Sequence, residues 1–199
     1  MKIITFLPFL LVACLVSAQS KKPEYLLDEN GVRITEGVFK SKIATQKFTY
    51  SLFENDTAVI AKTLPREEWG QLSAEQYRAL FGALKEIAGD VPREGHTVVL
   101  HFFYKPKAPV NGGCIDYYTV DSRYKKQLSK RGIQPIFIVQ RGYKFEGSVR
   151  EDTDDRIRAL LFPYDVQCGN YIIVKPDGKF YRRLGEYRQD QVVDNMDKI

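Results

Sequence analysis

Two histidines, three cysteines and one tryptophan in 199 residues leave little material for a multi-histidine metal centre or a His-rich catalytic cluster. No stretch beyond the N-terminus reaches the ~18 consecutive apolar residues that a membrane span requires. Charge of one sign is nowhere concentrated: the net charge of +5 is spread along the chain, which argues against nucleic acid as a partner. Asn111-Gly112-Gly113 has neither the G-x-G-x-x-G nor the G-x-x-x-x-G-K spacing of a phosphate-binding loop, so no nucleotide or other organic cofactor is expected. There is no internal repeat. What the chain does have is 44% hydrophobic and 28% charged residues, enough to bury a core in one globular unit.

Met1 and Lys2 lead into an apolar run at residues 3–15 that ends in Val16-Ser17-Ala18. A basic start, an apolar stretch too short for a bilayer and small residues before a cut form the pattern of a secretory signal peptide over residues 1–18. Cleavage after Ala18 gives a secreted or periplasmic protein. Leu11-Val12-Ala13-Cys14 also resembles a bacterial lipobox, so the alternative is a lipoprotein anchored through Cys14, the one case in which a membrane is an expected partner. Without the leader, Cys114 and Cys168 remain, and an even pair in an oxidising compartment suggests one disulfide. Closing a loop of about 55 residues, it is worth on the order of 4 kcal/mol in the chain-entropy account. Asn55-Asp56-Thr57 fits the N-glycosylation sequon, which matters only in a eukaryotic host.

Residues 19–30 are polar and read as a leader with little fixed structure, ending in the turn Asp28-Glu29-Asn30-Gly31. Residues 47–53 and 57–62 alternate and predict a hairpin. Ser73, with Gln76 three residues on, predicts a capped helix carrying Tyr77, Leu80, Phe81, Leu84 and Ile87 on one face and ending at Gly89. Residues 97–104 are apolar at nearly every position, as a strand buried on both faces should be. Residues 115–130 then predict a helix closed by Gly132, and 134–140 a second buried strand. Residues 152–162 predict a helix with Asp154 and Asp155 in its first turn, stopped by Pro163. Strands flanking Pro176-Asp177-Gly178 form a hairpin, and residues 188–198 form a last helix. Alternating units with a late hairpin imply an α/β fold with a mixed sheet flanked by helices.

Within that order, the segment from Cys168-Gly169-Asn170-Tyr171 through Pro176-Asp177-Gly178-Lys179-Phe180, followed by Leu184-Gly185-Glu186-Tyr187, resembles the part of thioredoxins and peroxiredoxin-like proteins that enters the fourth strand and turns at Asp-Gly. The resemblance implies a thioredoxin-like domain over residues 56–199, behind a partly β N-terminal extension over 19–55. Redox-active members carry Cys-x-x-Cys after the strand that corresponds to residues 97–104. Here the matching stretch ends in Asn111-Gly112-Gly113-Cys114 with one cysteine. Counting back from Gly132 puts Cys114 at the second cysteine and Asn111 at the first, while the loop length also admits Cys114 as the first. The position of the family's cis-proline falls on Gly169. Because the two loops face each other in that fold, the resemblance places Cys114 and Cys168 within disulfide reach.

Two readings follow. In the first, the chain is a non-catalytic protein- or peptide-binding module stapled by a Cys114–Cys168 disulfide, with Asn111, Gly112, Gly113, Gly169 and Asn170 as its binding loops. In the second, it is a thiol-disulfide oxidoreductase with Cys114 as nucleophile and Cys168 as resolving cysteine. His101 stands in register with Val99 and Phe103 and reads as a core histidine rather than a base. A metal site from Cys114, Cys168 and His101 is not expected. Asp152, Asp154 and Asp155 lack EF-hand spacing and read as helix-capping charge. Twelve tyrosines occupy the periodic positions of core and rim residues, and Lys125, Lys126, Lys130, Arg131, Arg182 and Arg183 read as a solvated helix face and hairpin edge.

Overall fold

The computed structural model describes residues 22–89, 93–106, 114–145 and 147–199. The expected leader, Cys14 and the loop residues Asn111, Gly112 and Gly113 lie outside them.

The N-terminal part forms a small sheet. Strand β1 (Glu24–Leu27) pairs in parallel with β3 (Val59–Pro65), which pairs antiparallel with β2 (Phe48–Glu54). Helix α1 (Glu36–Ala44), capped by the Thr35 hydroxyl, lies against this sheet without burying a residue. Two expectations are corrected here. The polar leader contains a strand, because parallel pairing to β3 satisfies its backbone. A helix stands where only alternating segments were expected. The chain passes from the small sheet to the main one at Arg66, between β3 and β4 (Glu67–Gln71).

The main sheet has six strands in the order β4-β9-β8-β5-β6-β7, where β5 is Val98–Phe103, β6 Ile136–Gln140, β7 Val149–Asp152, β8 Asn170–Val174 and β9 Lys179–Leu184. Strands β5, β6 and β7 run parallel, and β8, β9 and β4 follow antiparallel to their neighbours. Every residue of β5 is buried, as a run apolar at every position but His101 requires of a central strand.

Alternation divides β5 between two cores. On one face, Val98, Leu100 and Phe102 pack with Leu80 and Leu84 of α2 (Ala74–Ala88) and with Ile157 and Leu161 of α5 (Arg156–Leu161). Helix α2 has the expected capping box between Ser73 and Gln76. On the other face, Val99 and Phe103 pack with Ile115 and Tyr118 of α3 (Cys114–Thr119), Tyr124 and Leu128 of α4 (Ser122–Ser129), and Val192 and Met196 of α6 (Gln189–Met196). The single helix expected over 115–130 is two, because the Asp121 carboxylate accepts hydrogen bonds from the Arg123 and Tyr124 amides and starts α4 afresh. The helix expected from residue 152 starts at Arg156, and residues 149–152 are a strand. Buried Asp152 accepts from the Ile157 and Arg158 amides, so of the acidic cluster Asp152 caps the helix, while Asp155 at the N-cap position makes no side-chain capping bond.

The small sheet rests on the main domain through a few specific bonds. The Ser51 hydroxyl donates to the Asp165 carbonyl at 3.0 Å, and the Arg66 backbone is fixed on both sides, donating to Lys47 and accepting from Leu184. Among the described residues no helix is long and apolar enough to cross a membrane.

Candidate functional site

Cys114 opens α3 and Cys168 lies two residues before β8. A disulfide joins them, with their Cα atoms 5.3 Å apart. The bridge sits where β5 ends and β8 begins, since Phe102 faces Asn170 across that ladder. One helical turn after Cys114, Tyr118 fixes the helix to the chain between β9 and α6: its hydroxyl donates to the Tyr187 carbonyl at 2.9 Å and accepts from the Tyr187 amide at 3.2 Å. Gln189 donates to the Tyr118 carbonyl at 2.8 Å. The cysteine therefore stands on a helix held at both ends of its buried face.

The second half of the bridge is held by backbone conformation. Cys168 and Gly169 both have positive φ, 66° and 94°, a region that side chains adopt at a cost. At Gly169 a Cβ would also sit 3.1 Å from ring carbons of Tyr118 and Tyr187. Gly169→Ala is accordingly expected to cost on the order of 2 kcal/mol, measured as a lowered denaturant midpoint with an unchanged m-value. Asn170 is fully buried; its amide donates to the Phe102 and Val166 carbonyls and accepts from the Gly185 amide. Gly169 and Asn170, both buried, thus hold the loop from beneath.

His101 lies under this site with no exposed surface. The Tyr187 hydroxyl is 2.5 Å from Nδ1 and the Tyr124 hydroxyl 2.7 Å from Nε2, and the Phe137 ring stacks on the imidazole. Both ring nitrogens are engaged by tyrosines, so His101 is the core residue that strand alternation predicts, with neither nitrogen turned to the cysteines. Burial lowers its pKa from 6.5 to about 3 and holds the Tyr187 hydroxyl well above its ordinary value.

Beside the bridge opens a cleft of about 650 Å³, lined by Cys114, Tyr117, Arg66, Arg183, Glu186 and Gln46 among others. Tyr117 is 75% exposed and also walls a second hollow of about 500 Å³, next to Val120, which is 76% exposed. A Glu186 carboxylate oxygen and the two sulfur atoms lie within 4.8 Å of one another, and with both sulfurs bonded to each other the group is a disulfide flanked by an exposed carboxylate. Arg66 and Gln46 carry no local motif, and Glu186 lies in the Leu184–Tyr187 segment without any sign of a site role. Sequence reading puts Arg182 and Arg183 on an open hairpin edge. Strand β4 covers that edge, leaving the two side chains 12% and 14% exposed and paired with Glu68 and Glu67. Burial, and next the charge of Arg183, lower the pKa of Arg66.

No family model and no curated protein matches this chain. Solved structures similar to it include a DsbF homologue from Corynebacterium diphtheriae, at 15% identity over 55% of this chain and 76% of that one, with a TM-score of 0.40. The exposed lipoprotein thioredoxin Etrx1 from Streptococcus pneumoniae is 15% identical over 53% and 87%, with a TM-score of 0.37. A protein described as a thioredoxin from Neisseria meningitidis is 12% identical over 76% and 88%, with a TM-score of 0.40. The parallel β5–α3/α4–β6 unit, the antiparallel β8–β9 hairpin after α5, the closing α6 and the helices on both faces of the mixed sheet give the chain a thioredoxin-like fold, with a cysteine as the first residue of the first helix of that unit and a disulfide from it to the loop before β8.

Proposed function

We propose that this chain is an exported protein- or peptide-binding module in which the Cys114–Cys168 bridge is a structural staple. The observation that carries the reading is the position of the bridge. It joins the first residue of α3 to the loop before β8 across 54 residues, so these two points of the fold are locked together covalently, while an aromatic and basic cleft stands open beside them. Exposed Tyr117 and Val120 are the kind of apolar anchors that partner surfaces use. Export rests on the leader sequence, and the N-terminal sequence of the mature protein, expected to begin at Gln19, tests it. Lipid anchoring through Cys14 is the alternative outcome.

A second reading has its own observation: Cys114 lines the cleft and is only half-buried. After reduction, the Cys114 thiolate would attack a substrate disulfide and release one substrate thiol. Cys168 would then attack the mixed disulfide, release the second thiol and re-form the bridge. The discriminating experiment uses the wild type and Cys114→Ser side by side. Under the binding reading, the wild type exchanges a model peptide disulfide no faster than free dithiol does, and the variant, though less stable, keeps peptide binding to the cleft. Turnover that depends on Cys114 in a folded protein would replace this reading with the enzyme.

A further inference from the structure

Resting on the binding reading above, we propose that the cleft beside the disulfide receives a carboxylate of its peptide partner and that Arg66 is the residue that reads it. The arginines around the cleft are not equivalent. Arg183 is paired with Glu67 and Arg188 with Asp190. Arg66, among the described residues, has no carboxylate within ion-pair distance. Its one side-chain hydrogen bond is a long one, 3.5 Å from Nη1 to the Glu186 carbonyl, and its buried Nε, like that of Arg183, has no acceptor.

The side chain is also placed for the task. Its backbone is tied to both sheets, through Lys47 on one side and Leu184 on the other, so the guanidinium projects from a fixed point. Gly185 lies beneath it: a Cβ there would come within 3.0 Å of Nη1, and the missing side chain leaves that space to the guanidinium. A planar guanidinium offers a fork of N–H donors matched to a carboxylate, and such charge-assisted pairs are the strong ones. Half-burial reduces the solvent screening that weakens pairs on open surface. Glu186 is close enough to attract Arg66 without pairing with it, so it competes with an incoming anion. Its negative charge disfavours a dianionic phosphate more than a singly charged carboxylate.

The test titrates the isotope-labelled, disulfide-bonded chain with three acetylated tyrosyl dipeptides. One has a glutamate side chain and an amidated C-terminus, the second is its glutamine counterpart, and the third ends in alanine with a free carboxylate. Chemical shifts at Arg66 Nε–Hε and the Gly185 amide are followed. The proposal expects at least one carboxylate probe to bind about tenfold tighter than the glutamine probe, and the stronger of the two identifies the source as an acidic side chain or a chain terminus. Arg66→Lys, which keeps the charge and loses the fork, should give up most of that preference, Arg66→Gln all of it, and Glu186→Gln should tighten carboxylate binding about twofold or more. Equal binding of all three probes in the cleft, or a preference that survives Arg66→Gln, overturns the proposal and leaves the binding reading standing. Failure of all three to shift any cleft resonance overturns the proposal and counts against that reading as well.

Discussion

Replacing Cys114 with serine is expected to lower stability by about 4 kcal/mol, because the bridge closes 54 residues and removes that loop's freedom from the unfolded chain. For a domain of this size the loss amounts to a drop of roughly 8–16 °C in melting temperature. The native contacts around the bridge do not offset it. Tyr118 and Asn170 still hold α3 and the β8 loop in the variant, so the native state is kept while the unfolded state gains entropy. Cys168→Ser should behave the same way, and the double variant should add little to either, since the three break one bond. Thermal unfolding of the oxidised wild type and the three variants checks this. A change below about 1 kcal/mol in every variant would show that the bridge contributes nothing to the fold and exists for its chemistry.

The second large effect is acid lability from His101. Its folded-state pKa of about 3 lies below the unfolded value of 6.5, so the unfolded chain takes up a proton that the folded protein refuses. The stability contributed by neutral His101 is fully present above pH ~6.5 and is lost as the pH falls toward 3, at about 1.4 kcal/mol per unit. Other groups overlap at the acid end. Glu29 and Glu151 have pKa values lowered below 4.5, Glu29 chiefly by the Lys42 ammonium and Glu151 chiefly by the Gly142 amide, and they lose stability only below that value. Asp152 is raised by burial and acts in the opposite sense. Between pH 6.5 and 4.5 the expected loss from His101 is therefore about 2 kcal/mol. His101→Gln, whose amide offers a donor and an acceptor to Tyr124 and Tyr187, should flatten that slope, and denaturant unfolding across the window measures both curves. Equal slopes in the two proteins would mean that His101 is protonated in the folded state.

Much of the main domain is legible in the sequence because the signals there are local. Ser73, Gln76 and Gly89 mark α2 at both ends, the nearly continuous apolar run of β5 marks a central strand, and Pro176-Asp177-Gly178 marks the β8–β9 turn. The parts that escape are held by partners distant in sequence. Strand β4 reads Glu-Glu-Trp-Gly-Gln with no alternation, and it is a strand because Glu67 and Glu68 meet Arg183 and Arg182 across the ladder. Strand β1 is only four residues long, Glu-Tyr-Leu-Leu inside a polar segment, and is fixed by pairing with β3. Helix α1 buries no residue, so periodicity has nothing to report. The cysteine pair was legible from the compartment and the family resemblance. The cleft beside it was not, because Gln46, Arg66, Tyr117 and Glu186 come from four separate segments that only the folded chain brings together.

Redox titration of the Cys114–Cys168 pair against a glutathione buffer, read by mass spectrometry of trapped thiols, tests the staple most directly. A structural bridge is expected to stay closed throughout, with a potential below about −300 mV. A pair that opens near about −200 mV would be in equilibrium with ordinary thiols, and the account of this chain as a stapled binding module would be contradicted.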